Sequence, residues 1–226
     1  MPITTAVFDA YGTLFDVTAA AREAAAAPGG EALASIWPEL AAHWRTKQLE
    51  YSWLRAITGD HTDFWQVTQD GLDWALEKCA LNDDALRSRL LDLYWKLSAY
   101  PDVAPMLARL KEKGLNTAIL SNGSPEMLDG ATRSAGITDL LDDLLSVESV
   151  GIFKPAPEVY ALATKRFSCT VEEVFFVSSN GWDVASAAGY GFRTAWVNRM
   201  GQPTERLPSQ PHHILPDLST LPDIIG

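Results

Sequence analysis

Short apolar runs alternate with helix-like stretches from residue 98 through "RTAWVNR", and this alternation constrains the fold more than any other feature. "VAPMLARLKEKG" has helical periodicity with Gly114 at its C-terminal end, and "LNTAILSN" is a buried strand that stops at Ser121-Asn122. "SPEMLDGATRSAG" opens a helix with Ser124 as N-cap and Pro125 in the first turn. A short strand within "LLDDLLSVESVG", a helix in "KPAPEVYALATKRF", the strand "EEVFFVSSN", the helix "WDVASAAGYG" and the strand "RTAWVNR" continue the pattern. Such alternation requires a parallel sheet with helices on both faces, because a parallel crossover needs a helix-length connection.

The first strand of that sheet is "ITTAVFD", at 3–9, and the α/β pattern then lapses. From 18 to 97 no strand is evident, and four helical segments follow one another: "TAAAREAAAA", "EALASIWPELAAHWRTKQLEYSWLRAI", "DFWQVTQDGLDWALEKCAL" and "DALRSRLLDLYWKL". In the second, Leu40, Trp44, Leu49, Trp53 and Ile57 recur at helical spacing as its apolar face. The expected fold is therefore α/β, a Rossmann-like doubly wound core made of residues 1–16 and 98–226, interrupted by a helical-bundle insert over 17–97. The Pro-rich tail from 200 onward is expected to be irregular with short elements, and His212 and His213 to be solvated.

With 226 residues, 47% of them hydrophobic, the chain fills one core with a small second unit. Eighteen basic against 29 acidic side chains leave a net charge of -11, unsuited to nucleic acid or an anionic membrane surface. No apolar run is long enough to span a bilayer, the N-terminus has no signal-peptide pattern, and Cys79 and Cys169 form no framework; the cytoplasm is the expected compartment. Trp53, Trp65 and Trp74 supply enough apolar surface in the insert for a partner subunit as well as a core, so a homodimer is expected.

In open parallel sheets, ligands bind beyond the carboxyl ends of the strands. The chain places Asp9 there after the first strand, Ser121 and Asn122 after "AIL", Ser178, Ser179, Asn180 and Asp183 after "VFFV", and Lys154 on a loop. Individually, many candidates have plainer readings. Asp9 caps a turn, Arg45 is an exposed helix charge balanced by Glu50, Lys154 is a loop lysine, and Asp183 caps the following helix. Tyr11, Leu49, Phe64 and Trp182 in such patterns are more often core than pocket, and Ser179 has no evident role.

Taken together, "FDAYGTLFDV", "WRTKQLEYSWLR", "LSNGSPEMLD", "KPAPEVY" and "SSNGWD" resemble the L-2-haloacid dehalogenases of the haloacid dehalogenase superfamily over essentially the whole chain. Phosphatases of that superfamily carry a second Asp two residues after the nucleophile and hold Mg²⁺ with acids near the fourth strand. Here Tyr11 replaces that Asp, and Ser178-Ser179-Asn180 precede the lone acid Asp183. The resemblance thus implies hydrolysis of short L-2-haloalkanoic acids with inversion, without metal or cofactor. Asp9 attacks the halogen-bearing carbon, and water then cleaves the resulting ester.

The resemblance also distributes roles. Lys154 pairs with Asp9 and offsets its repulsion from the anionic substrate, ~4 kcal/mol at ~4 Å and an effective dielectric near 20. Thr13 fixes the Asp9 rotamer, and Ser121 holds the substrate carboxylate. Arg45 and Asn122 receive the halide. Tyr11, Leu49, Phe64 and Trp182 wall the alkyl group. Asp183, oriented by Asn180 and Ser178, activates water, and Tyr160 supports Lys154 or the nucleophile. The rival readings are a superfamily phosphatase and a catalytically idle protein that keeps the fold for binding.

Overall fold

The computed structural model describes residues 1–225. Six strands form one parallel sheet: β1 (Thr5–Phe8), β2 (Asn116–Ser121), β3 (Asp143–Ser146), β4 (Val174–Ser178), β5 (Arg193–Val197) and β6 (His213–Leu215). Their spatial order is β3-β2-β1-β4-β5-β6. The chain therefore winds outward from β1 in one direction, returns, and winds outward in the other from β4. The reversal lies between β1 and β4, the switch point at which open α/β sheets leave a crevice.

All four residues of β1 are buried, as a central parallel strand requires. Phe8 lies level with Ile119 on one side and Val177 on the other. Asp9 extends the ladder by one bond, its amide donating to the Val177 carbonyl at 2.9 Å. Thus Asp9, Ser121 and Ser178 emerge at neighbouring strand ends.

Four helices follow β1 before the sheet resumes: α1 (Ala19–Ala26), α2 (Trp37–Thr58), α3 (Phe64–Lys78) and α4 (Asp84–Tyr94). They pack on one another, α2 against α3 most extensively and α1 against α4. Pro38 lies in the first turn of α2, so the helix begins at Trp37 rather than near residue 31 as its periodicity suggested. The expected apolar face of α2 also shifts. Its buried stripe is Leu40, Trp44, Gln48 and Ser52, spaced by four, while Ile57 is exposed. Gln48 is tolerated there because its amide donates to Thr68 Oγ1 and to the Tyr94 hydroxyl, both at 3.0 Å. Trp53, Trp65 and Trp74 find partners within the chain: Trp182, Trp95, and His43 with Lys47.

The remaining helices include α5 (Val103–Glu112), α6 (Pro125–Ser134), α7 (Pro157–Phe167), α8 (Gly181–Tyr190) and α9 (Leu221–Ile224). The last turn of α5 is followed by Gly114 at φ 76°, and Ser124 accepts from the Met127 amide at the start of α6. The tail is more ordered than its prolines suggest. It supplies β6 and α9, and its two histidines are exposed, as expected, while still making contacts. His212 Nδ1 contacts Thr194 Oγ1 at 3.0 Å, and His213 stacks on Phe175.

Candidate active site

The loop after β1 turns sharply at Gly12 (φ 90°), where an added Cβ would lie 3.1 Å from Ser179 Oγ. The turn brings Thr13 back beneath Asp9, and its hydroxyl donates to Asp9 Oδ2 at 2.9 Å. Ser179, which had no role from sequence, ties the two loops together by donating its amide to Thr13 Oγ1 at 2.8 Å.

Lys154 is fully buried and joins two carboxylates, with Nζ 3.2 Å from Asp9 Oδ1 and 2.8 Å from Asp183 Oδ2. Burial disfavours its charge, but the two carboxylates outweigh burial and hold its pKa above the ordinary lysine value. Burial drives the Asp183 pKa up, Lys154 opposes the rise, and Asp9 adds to it; the net result lies above the ordinary aspartate value. The trio carries one net negative charge when both carboxylates are ionised.

The structure redraws two of the expected links. The Asn180 and Ser178 side chains make no hydrogen bond to Asp183; only the Asn180 carbonyl accepts from its amide, at 3.1 Å. Asn180 Nδ2 instead donates to Asp9 Oδ2 at 2.9 Å, and Ser178 Oγ accepts from the Asn180 amide at 3.1 Å. Asn180 is the N-cap of α8, whereas Asp183 is the third residue of its first turn and faces Lys154. Tyr160 supports neither Lys154 nor the nucleophile. Its hydroxyl donates to Asp183 Oδ1 at 2.7 Å, and it is buried away from the cavity described next.

Asp9 and Lys154 border a cavity of ≈ 10 Å³, with Tyr11, Arg45, Leu49, Phe64, Ser121, Asn122, Asn180 and Trp182 as its other lining residues. That volume is room for about one water. Ser121 Oγ accepts from the Gly123 amide (3.1 Å), and Asn122 Oδ1 from the Lys154 amide (2.9 Å). Arg45 reaches down from α2. Its Nη2 donates to the Tyr11 carbonyl at 3.2 Å and to Asn180 Oδ1 at 3.1 Å, while Glu50 pairs with Lys47 instead. Arg45 and Asn180 also border a larger cavity of ≈ 620 Å³ beside the end of β5.

Tyr11 stacks on Tyr94 of the insert, with ring centroids 5.6 Å apart and planes at 14°, and leans on Phe64. Gly123, which pattern reading passed over, makes this possible, because a Cβ there would lie 2.8 Å from Tyr11 Cε2. We therefore expect Gly123→Ala to displace the Tyr11 ring. A shift of this kind in a positioned wall lowers turnover by about 10–100-fold. Circular dichroism alongside initial rates checks that the fold survives; unchanged rates would mean that Tyr11 has no positioning role.

The donor set is a poor fit for a hard cation. The neutral oxygens flanking Asp9, the Tyr11 carbonyl and Asn180 Oδ1, are both taken by the Arg45 guanidinium, and the second carboxylate is bridged by Lys154. Among the described residues, no three His, Cys, Asp or Glu side chains cluster as a metal site would need.

A family model for haloacid dehalogenase-like hydrolases matches residues 3–191. The chain is 47% identical over 225 residues to (S)-2-haloacid dehalogenase 1 of Pseudomonas sp. (strain CBS-3), covering 99% of this chain and 97% of that one. A crystal structure of an L-2-haloacid dehalogenase superposes with TM-score 0.94 at 39% identity, over 100% of this chain and 99% of that one. The L-2-haloacid dehalogenase from Xanthobacter autotrophicus with chloropropionic acid covalently bound matches with TM-score 0.89 at 38% identity, over 99% and 98%. The chain belongs to the haloacid dehalogenase-like hydrolases and, within them, to the (S)-2-haloacid dehalogenase family.

Proposed function

We propose that the protein hydrolyses short L-2-haloalkanoic acids to 2-hydroxy acids with inversion, through an ester on Asp9, beneath a cap formed by residues 17–97. The bridging of Asp9 and Asp183 by buried Lys154 is the observation that carries this reading. One carboxylate is left to attack carbon and the other to serve water, and the ammonium between them pairs with both.

Asp9 Oδ2 already accepts two hydrogen bonds, from Thr13 and Asn180, whereas Oδ1 is met by Lys154. Oδ1 is therefore the freer nucleophile. Its electron pair forms the C–O bond as the halide leaves with the C–X pair. The Arg45 guanidinium and Asn122 receive the halide, and Ser121 with neighbouring amides holds the substrate carboxylate. Water then adds to Asp9 Cγ as its proton passes to Asp183; the adduct expels the alkoxide, which takes that proton back and leaves as the alcohol with its configuration still inverted, and Asp9, regenerated as the acid, gives its own proton to solvent. A halide needs no proton to depart, so an aromatic wall at Tyr11 serves where an acid would have no task. The X. autotrophicus relative with chloropropionic acid covalently bound supports a covalent route.

The test is halide release from haloacetates and from both enantiomers of 2-chloropropionate, before and after exhaustive chelation. We expect release from the L-enantiomer alone among the chiral pair, at a rate unchanged by chelator. Loss of activity restored by Mg²⁺, or turnover of a phosphate monoester instead, would replace this reading with the phosphatase one.

The raised Asp183 pKa gives a signed prediction. Only its ionised form accepts a proton from water. As pH falls, Asp183 protonates earlier than an ordinary aspartate, so the acid limb of kcat should lie above about 3.9. Ester should accumulate along that limb, because Asp183 acts after alkylation. A kcat profile with quenched-sample mass spectrometry measures both, and an acid limb without ester accumulation would assign the titration to the first step.

A further inference from the structure

We infer that His61 and Glu148 form the latch that closes the insert over the site, and that they act as positioning residues for substrate retention. The inference rests on the dehalogenase reading for its kinetic consequence only.

His61 lies in the loop between α2 and α3, three residues before Phe64. Its Nε2 is 3.0 Å from Glu148 Oε2 on the sheet side, and its ring packs on buried Phe153 with centroids 4.7 Å apart. Apart from Arg22–Asp16 at the start of the insert, this is the only contact of a carboxylate with a basic side chain that joins residues 17–97 to the rest of the chain among the described residues. The other closing contacts are of different kinds. Trp53–Trp182, Tyr94–Tyr11 and Phe64–Phe153 are aromatic, and the Arg45 contacts belong to the cavity itself.

Both ends of the pair are wired to the site. On the insert side, Phe64 lines the cavity and meets Tyr11 and Phe153. On the sheet side, Phe153 precedes Lys154, whose amide is held by Asn122. The Glu148 amide donates to Ser146 Oγ at 3.2 Å, and that hydroxyl donates to the Gly123 carbonyl at 2.7 Å, on the turn that carries Ser121 and Asn122. The cavity as it stands has room for about one water, so a haloacid enters only when the insert moves. A bond between exactly the two parts that must separate, outside the reacting atoms, sets how long the closed state holds its ligand.

His61→Ala should raise KM for L-2-chloropropionate about fivefold or more while kcat stays within twofold, since alkylation and hydrolysis use none of its atoms. His61→Gln keeps an N–H for Glu148 and should recover most of the KM. In the ligand-free protein, amide hydrogen exchange over 60–66 and 146–154 should quicken severalfold in His61→Ala and Glu148→Ala, and no further in the double variant. If exchange in these segments matches the parent, the latch is overturned. If His61→Ala does not fold, His61→Gln and Glu148→Gln carry the same comparison. Because exchange is read without substrate, a protein that released no halide from any haloacid would overturn the function while leaving the latch measurable.

Discussion

Asp9→Asn should release no halide and acquire no adduct, whereas Asp183→Asn should release up to one halide per site and retain the alkyl group on Asp9. The difference follows from what each carboxylate touches. An amide at position 9 has no anionic oxygen, and its NH₂ would face either Lys154 or the donors Thr13 and Asn180. In Asp183→Asn, Asp9 keeps those three partners, so the first displacement proceeds. The ester then meets water without a base, and turnover falls by about 10²–10⁴-fold. Mass spectrometry of the denatured protein after mixing with L-2-chloropropionate reads the adduct, and peptide mapping should place it on Asp9. An Asp183→Asn protein that is inactive and unmodified would assign Asp183 to the first step through its 2.8 Å contact with Lys154. The breach of this buried cluster is costly, about 3–5 kcal/mol when one partner of a buried pair is lost. The isosteric amide, which still accepts from Lys154, is therefore the informative substitution. Direct attack by water on the substrate would leave both proteins unmodified and would falsify the covalent route.

Much of the frame was legible because it is written in periodicity. Strands of four to six apolar residues separated by helix-length stretches permit little besides a parallel sheet, and the strand ends then mark the crevice. What escaped was of a different kind. The start of α2 is set by Pro38, and its buried stripe runs through Gln48 and Ser52, which a hydrophobicity pattern reads as surface. The strand β6 has three residues at the sheet edge, two of them exposed, so it leaves almost no signal. Gly123 matters because a ring from another loop lies where its side chain would be, and Ser179 because its amide reaches Thr13. Both are contacts across long sequence separation, invisible to local spacing. Asn180 was found and wired to the wrong carboxylate. Sequence brought it within three residues of Asp183, but the turn of α8 faces it toward Asp9.

Arg45→Lys should lower turnover by about 10²-fold or more, although it preserves charge. In the structure Arg45 does two things at once. One terminal nitrogen bridges the Tyr11 carbonyl and Asn180 Oδ1, and the guanidinium borders the cavity with its remaining donors. The bridge fixes the Asn180 amide with its oxygen toward Arg45 and its NH₂ toward Asp9, so a residue on α2 sets the hydrogen bonding of a nucleophile on the far side of the cavity. A lysine ammonium is compact and strongly hydrated. It lacks the planar fork needed to hold two oxygens and still present N–H groups to a departing halide. Losing one preorganised donor to developing negative charge costs about 10²–10³ in rate, and a loosened Asn180 adds to that. Rapid-quench measurement of halide release should put the whole loss in alkylation. Hydrolysis of ester already formed on Asp9, followed after the substrate is removed, should change far less, because the side-chain bonds of Arg45 go to Tyr11 and Asn180 and not to Asp183, Lys154 or Tyr160. Arg45→Lys with most of its alkylation rate intact would return Arg45 to the role of a helix charge that closes the insert, and the halide would have to be received by Asn122 alone.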